Sequence, residues 1–251
     1  MVRCSVCGVD EMLPFRCTYC GLPYCSSHRL PENHGCIGIS KTRSPEEIRL
    51  RAAAKYVSRG AKPQLSFTKS ETAQLAIAAA VVSVAGLSLV GFAAASITAL
   101  AFLVGGFCAS FIGHELAHKF TAIRRGLSAE FKIFPPGLFV TLITSLLPVP
   151  FKVIMPGAVV IRGLTLPRTI GEIAAAGPLF NFIAATALFV LAKVLNNFLL
   201  EIVASINAFL MFFNMLPIPP LDGEKVLNWS WKVWLTIFVM SLALLTVIQL
   251  F

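Results

Sequence analysis

Five runs of almost uninterrupted apolar residues, at about 73–95, 97–120, 171–192, 199–216 and 229–251, set the first limit on this chain. Each is near the length a helix needs to cross the hydrocarbon of a bilayer, roughly 20 residues. Charged residues make up 13% of the chain, about half the share found in soluble domains. The fold expected is a polytopic α-helical membrane protein with about five to six transmembrane helices and a small N-terminal domain of another kind. Its net charge of +9 gathers in the first seventy residues and a few short loops. That is the pattern of membrane flanks; no nucleic-acid partner is expected.

The same basic residues give an orientation. Lys119, Arg124, Arg125 and Lys132 follow the second run, Lys152, Arg162 and Arg168 precede the third, and Lys225 and Lys232 lie between the fourth and fifth. The turns at 92–97 and 193–198 carry only Lys193. The positive-inside rule therefore puts the N-terminus in the cytosol and the C-terminus outside, in a multi-pass protein of the cell membrane. Residues 128–168 fit no simple span. The apolar stretch 139–147 is short, and Pro135, Pro136, Pro148, Pro150 and Pro156 interrupt the region. Re-entrant or β structure lining a cavity is expected there, with Val159, Val160 and Ile161 suited to an edge strand.

Within the second run stands Gly113-His114-Glu115-Leu116-Ala117-His118. Two histidines four apart share one helical face, so both imidazoles can hold one zinc ion. Glu115 lies beside the metal, placed to take a proton from water. Ionisable groups at membrane depth are costly and mark function. A third ligand is needed, and Asp222 is the leading candidate, ahead of Glu224, with Glu172 and Glu130 weaker. Pro217, Pro219 and Pro220 end the fourth run and set Asp222 on the same side of the membrane as the histidines.

The first forty residues carry a separate pattern. Cys4-x-x-Cys7, Cys17-x-x-Cys20, Cys25-x-x-His28 and His34-x-Cys36 supply eight thiol and imidazole ligands in a span too short for an apolar core. Two closed tetrahedral zinc sites would hold such a module folded. Interleaved histidines, and the lack of a basic stretch leading into an apolar core at the N-terminus, disfavour a disulfide framework. The spacing, with Phe15-Arg16-Cys17 and His28-Arg29-Leu30-Pro31-Glu32, resembles the AN-1-type zinc finger over residues 1–39. That resemblance implies a cross-braced arrangement, with Cys4, Cys7, Cys25 and His28 on one zinc and Cys17, Cys20, His34 and Cys36 on the other. It also implies a cytosolic protein partner, or else a small structural cap. Residues 40–71 read as a basic linker, with a short helix capped by Ser44, opened by Pro45 and running to about Ser58.

Two more motifs follow in the apolar part: Gly177-Pro178-x-x-Asn181, and Asn214-x-x-Pro217 leading to Leu221-Asp222-Gly223. Together with His114-Glu115-Leu116-Ala117-His118 they resemble the site-2 protease family of intramembrane metalloproteases, over residues 72–251. The resemblance implies zinc on His114, His118 and Asp222, Glu115 as general base, and Asn181 and Asn214 near the substrate backbone or oxyanion. In place of a PDZ-like domain the chain carries the finger, for which a regulatory or recruiting role is expected.

The function expected is zinc-dependent cleavage of transmembrane segments of other membrane proteins near the cytosolic face. One catalytic and two structural zinc ions are expected. The alternative is a non-enzymatic membrane scaffold displaying the finger. A metal transporter is disfavoured, because the apolar runs are charge-poor away from the cytosolic end. Cys108 falls outside both metal patterns and reads as a small packing residue.

Overall fold

The computed structural model describes residues 1–38, 65–90, 96–148, 152–163 and 165–250. The linker helix expected from Ser44 lies outside the described residues. The chain divides into two compact units, Met1–Ala52 and Ala53–Phe251.

The first unit is built from two small antiparallel hairpins, β1 (Val2–Arg3) with β2 (Asp10–Glu11) and β3 (Phe15–Arg16) with β4 (Pro23–Tyr24). Each hairpin turn carries a Cys-x-x-Cys pair, and two single-turn 3-10 helices, Ser26–His28 and Pro31–His34, follow. Its buried cluster consists of Cys4, Cys17, Cys25, Cys36 and Tyr24. Thiols and one phenol bury too little apolar surface to hold a domain, so this unit depends on what the thiols bind.

The second unit is mainly helical, with α1 (Lys69–Leu89), α2 (Ile97–Arg124), α3 (Pro135–Leu146), α4 (Pro167–Leu195), α5 (Phe198–Asn214), α6 (Asp222–Trp229) and α7 (Trp231–Leu250). One hairpin interrupts them, β5 (Ser128–Ile133) paired antiparallel with β6 (Gly157–Arg162). Among the described residues α1, α2, α4 and α7 are long and apolar enough to cross a membrane. Ile183, Val190 and Val194 of α4 and Val239 of α7 are more than half exposed. Large apolar side chains turned outward along such helices face lipid. The protein is a polytopic α-helical membrane protein with a zinc-finger unit. The fourth apolar run falls short of a span by length: α5 has 17 residues, because the prolines at 217, 219 and 220 cannot continue it.

Local chemistry sets several boundaries. Ser96 caps α2 by accepting from the Ala99 N–H at 3.1 Å. Asn196 in the left-handed conformation ends α4, and Asn197 accepts from the N–H groups of Leu199 and Leu200 to open α5. A cap of each kind in adjacent residues turns the chain back within two residues. Between α1, α2 and α5 the core centres on Val82, Leu103, Phe107 and Leu210.

The proline-rich region makes an excursion and comes back. The Phe134 N–H donates to the Pro156 carbonyl, and Ile133 faces Gly157 across the hairpin, so both ends of residues 135–155 meet at one level. Within it α3 has 12 residues, about 18 Å, well short of a roughly 30 Å hydrocarbon core. Lys152 holds the far end by donating to the carbonyls of Thr144 and Leu147 at 2.9 and 2.8 Å.

A buried ion pair ties the start of α1 to the end of α2. Lys119 donates to both oxygens of Glu71, at 2.6 and 2.7 Å, and to the Ser66 carbonyl. Glu71 also accepts the Phe131 N–H, which links the pair to β5. Both side chains are almost wholly buried. Losing one partner of such a pair costs about 3–5 kcal/mol, since a charge is left unpaired. Lys119 follows His118 directly, so the pair also fixes the end of the helix that bears the histidines.

Candidate metal centres

In the finger the eight expected residues form two groups: Cys4, Cys7, Cys25 and His28, and Cys17, Cys20, His34 and Cys36. The Cys7–Cys25 and Cys17–Cys36 sulfurs are 3.8 Å apart, and Cys20 Sγ lies 3.8 Å from His34 Nε2. Four sulfurs at about 2.3 Å from one zinc have edges of roughly 3.8 Å, so the spacing fits. His34 Nδ1 donates to the His28 carbonyl at 2.8 Å, which leaves Nε2 as the lone-pair nitrogen facing the thiols. Neighbouring backbone N–H groups, first that of Cys7, bring the Cys4 thiol down to about 6. The Tyr24 hydroxyl, 3.3 Å from Cys20 Sγ, brings that thiol to about 6 and is itself pushed up to about 12 by the same bond. Both effects favour the thiolate a metal needs.

In the membrane unit His114 and His118 sit on one face of α2, and α6 brings Asp222 against them. His118 Nε2 is 3.0 Å from His114 Nε2 and 3.0 Å from Asp222 Oδ2, which is 3.3 Å from His114 Nε2. Bonds of about 2.0–2.1 Å give a tetrahedral edge of roughly 3.3 Å, so three corners match a zinc site. All three side chains are buried. Glu115 is buried beside them, and its Oε2 has no hydrogen-bond partner among the described residues.

The hydrogen bonds behind the histidines fix which nitrogen carries the proton. Asn207 Nδ2 donates to the Val203 carbonyl at 2.9 Å and to Ser110 Oγ at 2.7 Å, so its Oδ1 must face away. That Oδ1 accepts from Asn181 Nδ2 at 2.9 Å, which turns Asn181 Oδ1 onto His114 Nδ1. His114 therefore carries its proton on Nδ1. His118 Nδ1 donates to the Ile173 carbonyl at 2.7 Å. Both Nε2 lone pairs point into the triangle, the tautomer that metal ligation requires. Pro178 lacks an N–H and so removes the helical donor to the carbonyl of Ala174, the neighbour of Ile173.

Two glycines make room. A Cβ on Gly177 would lie 2.6 Å from His114 Nε2 and still closer to His118 Nε2. A Cβ on Gly223 would collide with the Met215 carbonyl, which Trp234 Nε1 holds at 2.9 Å. Gly223 thus lets α6 begin against the 215–221 loop and swing Asp222 inward.

A cavity of about 480 Å³ opens over the triangle. Its wall includes β6 residues Val159 to Ile161, together with Asn214 and with Lys225, which contacts Asp222. Asn181 does not line it. That residue was expected beside the substrate, but it is fully buried and both ends of its amide are engaged by His114, Asn207 and Ser110. Its place is behind the histidine. Asn214 does reach the cavity, with Nδ2 on the Leu210 carbonyl. Of the other carboxylates, Glu130 pairs with Lys132 and Arg162, Glu172 with Arg125 and Arg168, and Glu224 with Asn228, so none joins the triangle. Asn207, Ser110 and Lys225 were not singled out from sequence. An asparagine within the apolar run of α5 was the signal for the first.

Lipid-facing helices around a buried triangle of two histidines and one carboxylate, joined to a zinc finger, define the class of protein. Comparison narrows it. Residues 4–41 match the AN1-like zinc finger family. The chain is 42% identical over 130 residues to "Putative zinc metalloprotease MJ0611" of Methanocaldococcus jannaschii, covering 49% of this chain and 68% of that protein. The chain belongs to the family of that relative. It is also 46% identical over 34 residues to "CDC48-associated ubiquitin-like/zinc finger protein 1" of Saccharomyces cerevisiae, spanning only 14% of this chain and 12% of that protein. No solved structure matches the chain.

Proposed function

We propose that the membrane unit is a zinc-dependent endopeptidase of the site-2 type, cutting transmembrane segments of other membrane proteins near the cytosolic face. The observation that carries this reading is the convergence of His114, His118 and Asp222 within 3.0–3.3 Å, beside the unpartnered Oε2 of Glu115. Those three residues would hold a catalytic zinc in addition to two structural ones in the finger. Zinc at that position supplies Lewis-acid polarisation of a peptide carbonyl and acidifies water.

The chain's own groups do the rest. Glu115 takes the proton of the attacking water on Oε2 and gives it to the departing amine nitrogen as the C–N bond breaks. Asn207 and Asn181 keep His114 in its working tautomer, and the Ile173 carbonyl does the same for His118. A substrate helix hides its carbonyls in internal bonds, so it must unwind to be cut. The outer edge of β6, on the cavity wall, offers main-chain groups to an extended segment. Asn214 adds an amide beside it. Lys and Arg placement supports a cytosolic side for the finger and the site. The finger is assigned the recruitment of a cytosolic protein. A pure scaffold would display the finger equally well, yet it would have no use for a tautomer-fixed histidine pair beside an unpartnered carboxylate oxygen.

The test is cleavage of a single-span membrane substrate in proteoliposomes by the purified full chain. Cleavage is expected within the span near its cytosolic end, stopped by a zinc chelator and restored by added zinc. A zinc-loaded protein that leaves every such substrate intact contradicts the reading.

A further inference from the structure

Lys225 follows Asp222 by one helical turn and donates from Nζ to Asp222 Oδ1 at 3.1 Å. The other oxygen of that carboxylate, Oδ2, faces His114 and His118. The two oxygens are thus divided between an ammonium and the metal triangle. Lys225 lines the same cavity as Glu115, and its side chain keeps 33% of its exposure. An ammonium has three N–H donors. One is on Asp222, which leaves donors to face the cavity.

The groups around it have other duties. Asn181 is turned into the wall, and Asn214 gives one of its two N–H groups to its own helix and carries no charge to meet an anion. Lys132, the other cation on the cavity wall, is paired with Glu130 at 2.9 Å. Glu115 and Asp222 present acceptor oxygens. Yet addition of water to a carbonyl places negative charge on its oxygen, and a donor preset for that charge is worth about 10²–10³ in rate.

We infer that Lys225 is a catalytic residue that donates a hydrogen bond to the oxyanion formed at the scissile carbonyl, while holding Asp222 Oδ1 so that Oδ2 alone faces the triangle. This rests on the peptidase reading. The water oxygen bonds to the carbonyl carbon and the C=O π pair moves onto oxygen, where Lys225 meets it without giving up its proton. That pair returns as the C–N bond breaks, and nitrogen takes the proton from Glu115.

The experiment compares full-length wild type, Lys225→Met and Lys225→Arg. Zinc content, kcat, KM and affinity for a phosphinic peptide, a stable tetrahedral anion, are measured for each. Lys225→Met is expected to keep its zinc and a KM within about threefold, while kcat and phosphinate affinity fall roughly 10²-fold or more. Lys225→Arg, which keeps the charge and the donors, is expected to regain at least about tenfold of that loss. Unchanged kcat and phosphinate affinity in Lys225→Met overturns the inference. So does loss of zinc from both variants, which would make Lys225 a support of Asp222 alone. A wild type that cleaves nothing refutes the peptidase reading separately; phosphinate affinity then still decides on Lys225, equal binding by wild type and Lys225→Met counting against it.

Discussion

Glutamine in place of Glu115 is expected to abolish cleavage, a loss of at least about 10²–10⁴-fold, with the metal content of the protein unchanged. The side chain keeps its length and shape, so the buried site suffers no cavity. What it loses is basicity: an amide cannot take a proton from water. Glu115 stands outside the triangle of His114, His118 and Asp222, so the variant keeps all three ligands. Zinc analysis and a cleavage assay on one preparation check both halves. Turnover at the wild-type rate would show that Glu115 is not the base.

Gly177→Ala is expected to be nearly as damaging by a different route. The added methyl would stand against the Nε2 atoms of both histidines, in the space the ligand lone pairs share. Loss of the membrane-site metal and of cleavage is expected, while the two finger sites stay filled. Gly105→Ala is the control. Nothing lies within 4 Å of a Cβ there, and alanine in place of a helical glycine stabilises by roughly 0.5–1 kcal/mol. Metal analysis of the two variants separates them. Full metal retention by Gly177→Ala would mean that α4 does not press on the histidines as described.

The parts of this site that could be read in the sequence are those whose chemistry forces a spacing. Two imidazoles of one helix that share a zinc sit a turn apart, and a thiol knuckle has its Cys-x-x-Cys, so His114, His118 and the finger pairs announce themselves. Asp222 needed one further step, because prolines had to be read as bringing it to the same membrane face. The apolar runs gave the helices, but length alone could not show that Pro217 ends α5 early. In residues 128–168 the register of β5 with β6 decides the path, and pairing across more than twenty intervening residues leaves no local signature.

The misplaced and missing residues share one cause. Asn181 sits where a motif points toward the site, but an amide four residues after Gly177 can face either the cavity or the wall. Its direction is set by Asn207, on another helix, whose own orientation is set by the Val203 carbonyl. Glu71 and Lys119 are 48 positions apart, and Lys119 reads only as a flanking charge. Only packing joins them. Lys225 reads as one more basic residue beyond a membrane helix until its ammonium is seen on Asp222.

Whether the triangle of His114, His118 and Asp222 holds a metal governs every role assigned to the cavity around it. Zinc counted per chain in purified full-length wild type and in Asp222→Ala tests this directly. About three ions are expected in the wild type, two in the finger and one in the membrane unit, and about two in the variant. Equal counts in the two proteins, under chelator-free purification, would contradict it.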